Sequence, residues 1–151
     1  MKDYIDVTNE YLNSKKKSVG NISYEDNYNM KNHTEEIDMA LWIHNSFGGD
    51  IKLLIESNGC FGVKSSDYEW NNKYWELKSL SSEKSIDSAL RKAISQIYTN
   101  PGGVILDFGK NKIDLQKVDN KIKERIGISC RFRIDIMIIN YKKLQKVMRF
   151  E

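Results

Sequence analysis

The chain has 151 residues, of which 40% are hydrophobic and 30% are charged, and its net charge is +3. A chain of this length suits one domain with a single core. The mildly positive charge is compatible with a nucleic-acid partner. No apolar run approaches the roughly 18 residues that a membrane span needs, so we expect no membrane segment. Two cysteines and two histidines argue against a disulfide scaffold and a Cys/His zinc site.

The first 32 residues differ in composition from the rest of the chain. They include SKKKSVGNISYEDNYNMKN, which is polar, rich in Asn and Lys, and without sustained periodicity. The pattern permits a short helix over residues 3–12. We interpret residues 1–32 as an N-terminal arm or linker that leads into a domain formed by residues 33–151.

Helix and strand patterns alternate through residues 33–151. Thr34 with acidic residues in the next turn favours a helix start, and Gly48-Gly49 ends that helix. In chain order, the patterns predict a helix at 34–47, strands at 50–57, 61–70 and 73–80, a helix at 81–98, a strand at 104–109, a helix at 115–126 and a strand at 133–144. This order predicts an α/β (α+β) fold with one mixed central sheet flanked by helices.

The segment DYEWNNKYWELK, residues 67–78, has the pattern of a tight hairpin. Asparagine tolerates positive φ, so Asn71-Asn72 fits a two-residue type I′ turn. Counting outward from that turn places Asp67 opposite Glu76. Lys78 is two residues beyond Glu76, so it shares the same face of the strand. The hairpin therefore predicts two opposed carboxylates with a lysine beside them.

Two opposed carboxylates repel each other unless a cation lies close to both. Lys78 is one such cation, and a divalent metal ion bound by Asp67 and Glu76 is another. We expect Mg²⁺, with Mn²⁺ or Zn²⁺ as alternatives. A metal here would stabilise charge on a phosphodiester, while Lys78 would act as base, orient a water molecule or counter developing charge. A charge-rich hairpin face exposed to solvent is the structural alternative.

Asp67 followed by Glu76-Leu77-Lys78, within an αβββαβ order of elements, resembles the PD-(D/E)XK nuclease superfamily. Ser66 stands where the motif of that superfamily has a proline. The stretch from GVKSSDYEW to GGVILDF also resembles the C-terminal nuclease domains of contact-dependent growth inhibition (CdiA-type) and related bacterial polymorphic toxins. Several of those domains cleave tRNA. The resemblance extends from about Thr34 to the C-terminus.

The resemblance implies a restriction-endonuclease-like core and a metal-dependent endonuclease that acts as a toxin on tRNA. It also implies a cognate immunity protein that blocks the site, and delivery from a producer cell into the cytoplasm of a target cell. A DNA endonuclease of the same fold, from a phage or mobile element, is one alternative. A non-catalytic nucleic-acid-binding or protein-binding domain with a structural acidic hairpin is another.

The superfamily often adds an acidic residue from its first helix, and we expect Glu36 to serve as that residue. Glu35 points more outward, and Glu56 at the end of the first predicted strand is a reserve candidate. For Glu35 and Glu36, favourable electrostatics at the start of a helix is the alternative explanation.

The helix that follows the hairpin often supplies polar residues to the site in this superfamily. Lys92 and Gln96 are four residues apart on that helix, so they share a flank and could contact a phosphate or the attacking water. A solvated helix face is the alternative. Trp70 and Tyr74, near the hairpin turn, are predicted to stack on a splayed base.

Overall fold

The computed structural model describes residues 2–55 and 66–151, and within them the chain forms eight strands and four α-helices. The strands are β1 (Ile5–Asp6), β2 (Ile22–Tyr24), β3 (Ile51–Leu53), β4 (Tyr68–Trp70), β5 (Lys73–Ser79), β6 (Pro101–Asp107), β7 (Ile134–Asn140) and β8 (Lys143–Phe150). The helices are α1 (Thr8–Leu12), α2 (Thr34–Ser46), α3 (Ile86–Ile97) and α4 (Leu115–Ser129). None of the helices in this described part has the length and apolar character that crossing a bilayer requires.

All the described strands join one mixed sheet in the order β1-β8-β7-β6-β5-β4-β3-β2. The central strands β5, β6 and β7 are parallel neighbours, and α3 and α4 provide the crossovers between them. Pairing is antiparallel between β3 and β4, β4 and β5, β7 and β8, and β1 and β8. Every residue of β7 is buried, as expected for an interior strand. The predicted mixed sheet with flanking helices is confirmed.

Each face of the sheet carries its own hydrophobic core. On one face, α3 and α4 pack over alternate residues of β6, including Val104 and Leu106. On the other face, α2 packs over the intervening residues, including Ile105. The helical spacing predicted for α3 buries its apolar stripe completely or nearly so. Each large aliphatic side chain buried in this way contributes about 1.5–3 kcal/mol, so the two helix layers fix the sheet between them.

The interpretation of residues 1–32 as an arm or linker does not match the structure. Strand β1 pairs with β8, with Ile5 opposite Arg149, and β2 pairs with β3 in parallel. The predicted helix over residues 3–12 is shorter, since α1 begins at Thr8. The tyrosine ring of Tyr11 packs against Trp70 and Trp75 inside the core on the α2 side. These residues therefore belong to the folded domain.

The end of the chain contains a strand that the sequence patterns missed. The sequence pattern predicts one strand at residues 133–144, but the chain turns at Tyr141 and Lys142, whose φ values are 54° and 56°. It returns as β8, antiparallel to β7. Neither turn residue is the glycine or asparagine that usually marks such a turn, so the sequence signal was weak. In the predicted strand at 61–70, residues 61–65 lie outside the described part of the chain.

Candidate catalytic site

The β4–β5 hairpin has the turn and register that the sequence predicts. Asn71 and Asn72 have φ values of 49° and 66°, which are the positive values a type I′ turn requires at both positions. Trp70 lies opposite Lys73. The same ladder pairs Tyr68 with Trp75. The asparagines therefore set the alignment of the two strands that carry the acidic residues.

Asp67 and Glu76 meet just beyond the paired part of this hairpin. The backbone N–H of Asp67 donates to Oε1 of Glu76 at 2.9 Å. The backbone N–H of Leu77 donates to Oδ2 of Asp67 at 2.9 Å. Each carboxylate is thus held by the backbone of the opposite strand, and this arrangement brings the two acids together as predicted.

Lys78 completes the group. Its Nζ lies 3.2 Å from Oε2 of Glu76, and the exposed fractions of the two side chains are 22% and 5%. Glu76 and Lys78 lie in register with Val104 and Leu106, which are buried beneath α3. Since residues in register point to the same face of a sheet, the acid and the lysine lie on the face that α3 covers.

The charge of this group is poorly balanced. Burial and the negative charge of Glu76 raise the pKa of Asp67 from its ordinary value to about 8, and the charge of Glu36 adds to the effect. A raised carboxyl pKa means that the surroundings disfavour the ionised form. Sites of this kind often bind cations or perform proton transfer, because an added positive charge relieves the repulsion.

The donor set suits a hard divalent ion. Mg²⁺ binds through one or two carboxylates and keeps several waters, so the oxygen atoms of Asp67 and Glu76 are sufficient protein ligands. Within residues 2–55 and 66–151, no group of three or more His, Cys, Asp and Glu side chains gathers to hold a metal. A zinc site normally has three or four protein ligands, so the two carboxylates are closer to the ligand set of Mg²⁺ or Mn²⁺. The identity of the metal stays a prediction.

Glu36 lies in the first turn of α2, on the opposite side of the sheet from α3. The hydroxyl of Tyr68 donates to the backbone carbonyl of Glu36 at 2.6 Å, which fixes the start of α2 relative to β4. The side chain of Glu36 is 28% exposed, and its Oε1 is 3.9 Å from Nδ1 of His33. Its charge also raises the pKa of Tyr28, which burial raises to about 12. The catalytic role of Glu36 stays a prediction.

Three residues of this region are not among the predicted site residues. Tyr68 is fully buried and links β4 to α2, and the rings of Tyr28 and His33 pack with their centroids 5.1 Å apart. The register count from the Asn71-Asn72 turn places Tyr68 on the apolar face of the hairpin, but it does not predict the contact with α2. Tyr28 and His33 come from a stretch without periodicity, so the sequence carried no signal for them. Glu56 lies outside the described residues.

Trp70 is buried and is not positioned for its predicted role of stacking on a base. Only 5% of the residue is exposed, its indole N–H donates to the carbonyl of Gly48, and its ring centroid lies 4.8 Å from that of Trp75. Trp70 is therefore a core residue. Tyr74 is half-buried and packs on the opposite face, against the α3 side of the core.

The two polar residues predicted on the following helix lie on α3. Lys92 is exposed to solvent, and Gln96 is half-buried. The Oε1 atom of Gln96 is buried and has no hydrogen-bond partner among the described residues. Because α3 covers the face that carries Glu76 and Lys78, this helix is the one that borders the acidic pair. Contact of Lys92 or Gln96 with a substrate stays a prediction.

Comparison with known proteins places this architecture among solved folds. No protein-family model and no curated protein matches the sequence. The structure is similar to one chain of the "CdiA-CT/CdiI toxin and immunity complex from Burkholderia pseudomallei", with a TM-score of 0.56 and 12% sequence identity. The alignment covers 83% of this chain and 98% of that chain. At this identity the likeness shows a shared fold.

Proposed function

We propose that this chain is a metal-dependent nuclease toxin domain that hydrolyses phosphodiester bonds in tRNA. The observation that carries the proposal is the Asp67–Glu76 pair with Lys78 at 3.2 Å from Glu76, held on a hairpin of defined register. The fold shared with a chain of a toxin and immunity complex supports the toxin role. The resemblance of Asp67 and Glu76-Leu77-Lys78 to the motif of PD-(D/E)XK nucleases supports metal-dependent hydrolysis.

Asp67 and Glu76 would hold the metal, which when bound supplies Lewis-acid stabilisation of the phosphodiester charge. The backbone N–H groups of Asp67 and Leu77 orient the two carboxylates before substrate arrives. Lys78 is partly exposed beside Glu76, so it can hold a water molecule or donate to a phosphate oxygen. Preorganisation of these groups reduces the reorganisation that the reaction would otherwise require.

The proposed partner is a cognate immunity protein that covers this site. The similar solved chain comes from a complex that contains an immunity protein, which supports this part of the proposal. In such a system the toxin domain is made in a producer cell and acts in the cytoplasm of a target cell. A toxin that acts on tRNA would stop translation there, so expression without the immunity protein should arrest growth.

Incubation of the purified chain with total tRNA and with plasmid DNA, each with Mg²⁺ or with EDTA, tests the proposal. We expect tRNA cleavage in Mg²⁺ and none in EDTA. Lys78→Met, which keeps the length of the side chain and removes its charge, should abolish cleavage. Lys52→Met provides a control, since Lys52 is an exposed lysine of β3.

The outcomes separate the alternatives. Cleavage of plasmid without cleavage of tRNA would identify a DNA endonuclease of the same fold. Binding of nucleic acid without cleavage of either polymer would identify a non-catalytic domain. Full cleavage by Lys78→Met would contradict the role of the hairpin, whichever polymer is cut.

A further inference from the structure

A groove of about 460 Å³ opens between α2 and the carboxyl ends of β5, β6 and β7. We name it the α2 groove. Its apolar surface comes from the helix and the sheet together, and its principal members are Met39, Trp42, Leu77 and Ile139. Ligands of open α/β sheets bind outside the carboxyl ends of parallel strands. The volume lies within the range of small-molecule pockets.

The α2 groove and the acidic pair share strand β5. Leu77 lies between Glu76 and Lys78 in the chain, and it points to the opposite face, toward the α2 core. Ser79 and Asp107 are paired neighbours at the ends of β5 and β6, and both line the groove. The groove therefore opens at the end of the sheet where the lysine of the candidate site lies.

Trp42 offers a flat apolar surface in the groove. The residue is only partly buried, and its ring meets Phe47 edge to face with centroids 5.3 Å apart. Phe47 is 4% exposed and stacks in turn on Trp70. A ring held in this way loses little freedom when a ligand stacks on it, so Trp42 is suited to bind a planar group.

The polar rim of the groove is acidic. Glu35 and Asp38 are exposed, and Asp107 accepts one hydrogen bond from the N–H of Gly109 through its Oδ1. Lys142 is the lining residue of opposite charge. Carboxylates repel phosphate and accept hydrogen bonds from amino groups. This rim therefore favours a group that carries N–H donors and disfavours the phosphate backbone. The flat surface of Trp42 favours a planar group.

We infer that the α2 groove receives one unpaired nucleobase that bears an exocyclic amino group, stacked on Trp42 and read by Asp38 and Asp107. Cytosine, adenine and guanine carry such a group, and uracil does not. In protein complexes with nucleic acids, Asp and Glu carboxylates accept hydrogen bonds from the amino group of cytosine. Unpaired RNA bases stack on aromatic side chains. This inference rests on the proposed function, because it assigns base selection to the same enzyme.

Binding of short single-stranded oligocytidine and oligouridine to the full chain, measured in EDTA, tests the inference. The wild-type chain should bind oligocytidine about tenfold more tightly. The double variant Asp38→Asn/Asp107→Asn should lose most of this preference. Trp42→Leu should weaken binding of both oligonucleotides by about tenfold. Asp26→Asn and Tyr98→Leu are matched controls on exposed positions outside the groove, and circular dichroism verifies that each variant is folded.

Cleavage by Asp67→Asn, measured in Mg²⁺, separates the two proposals. If Asp67→Asn is inactive but the groove variants keep the wild-type affinity and preference, the groove inference is wrong and the proposed function stands. In that case a protein partner would be the alternative ligand of the α2 groove. If the wild-type chain binds neither oligonucleotide, the groove inference also fails. If Asp67→Asn cleaves at the wild-type rate, the proposed catalytic site fails.

Discussion

Asp67 and Glu76 are held by each other's strands. The N–H of Asp67 donates to Glu76, and the N–H of Leu77, next to Glu76, donates to Asp67. This exchange keeps two carboxylates close together although their charges repel. These backbone hydrogen bonds hold the two carboxylates together against their repulsion. A positive charge bound between them would therefore be stabilising.

Asp67→Asn and Glu76→Gln should each reduce Mg²⁺-dependent tRNA cleavage by about 100-fold or more, because each removes a charged metal ligand while retaining an oxygen acceptor. Gel assays of single-turnover cleavage measure the effect. Glu69→Gln is the matched control, since Glu69 is a half-buried acid of the same hairpin that lies opposite Tyr74. Loss of activity in the control to the same degree would indicate a damaged hairpin instead of a lost ligand.

Stability should depend on pH through Asp67. The pKa of Asp67 is about 8 in the folded chain, above its ordinary value of 3.8, so between these values the folded state binds more protons than the unfolded state. Stability contributed by this group is therefore lost as pH rises from about 4 to 8. In EDTA, the free energy of unfolding of the wild-type chain should fall by up to about 5 kcal/mol relative to that of Asp67→Asn across this window.

Urea unfolding of both proteins at several pH values measures this difference. Added Mg²⁺ should stabilise the wild-type chain more than the variant, because a ligand that binds the folded state raises its stability. If the free energy of unfolding depends on pH in the same way in the two proteins, the prediction is wrong and Asp67 is not destabilised by its burial beside Glu76.

Tyr68→Phe should lower the free energy of unfolding by about 1 kcal/mol. The substitution removes the 2.6 Å hydrogen bond from the buried hydroxyl to the carbonyl of Glu36. Thermal unfolding measures the loss. Tyr98→Phe, at a residue that is 65% exposed, should leave stability unchanged. Equal effects of the two substitutions would mean that Tyr68 does not anchor α2 to β4.

Arg149→Met should destabilise the chain by about 3 kcal/mol. Arg149 makes two hydrogen bonds to Asp135, at 2.7 and 2.8 Å, and the residue Asp135 is 5% exposed. Removing the arginine leaves a buried carboxylate supported chiefly by the hydroxyl of Tyr11. Arg133→Met is the control, since the exposed Arg133 lies 4.0 Å from Glu151 and should cost less than about 0.5 kcal/mol. Similar losses in both variants would contradict a special role for the buried pair.

The sequence predicts those parts of the fold whose signals are local. The Asn71-Asn72 turn and the apolar stripe of α3 depend on neighbours a few residues away, and both are confirmed. The pairing of β1 with β8 joins residues at opposite ends of the chain, so no local pattern reveals it. The same reason explains why the sequence pattern of residues 1–32 suggests an arm or linker although these residues join the sheet.

In the candidate site, too, local sequence patterns predict some features, whereas contacts between distant residues are not predicted. A count from the turn was enough to bring Asp67 and Glu76 together. The error at Trp70 arose from its nearness to the turn, whereas its position two residues after Tyr68 places it on the same buried face. Trp42 and Asp107 come from distant elements, and only the assembled sheet brings them to one groove.

Contacts between the two ends of the chain also bear on how the protein folds. The N–H of Val7 donates to the carbonyl of Val147, and Nζ of Lys146 donates to the hydroxyl of Tyr4. Contacts between residues this far apart close very long loops, which costs entropy and slows folding. A chain that emerges from a ribosome N-terminus first therefore cannot place α1 until β8 has been made.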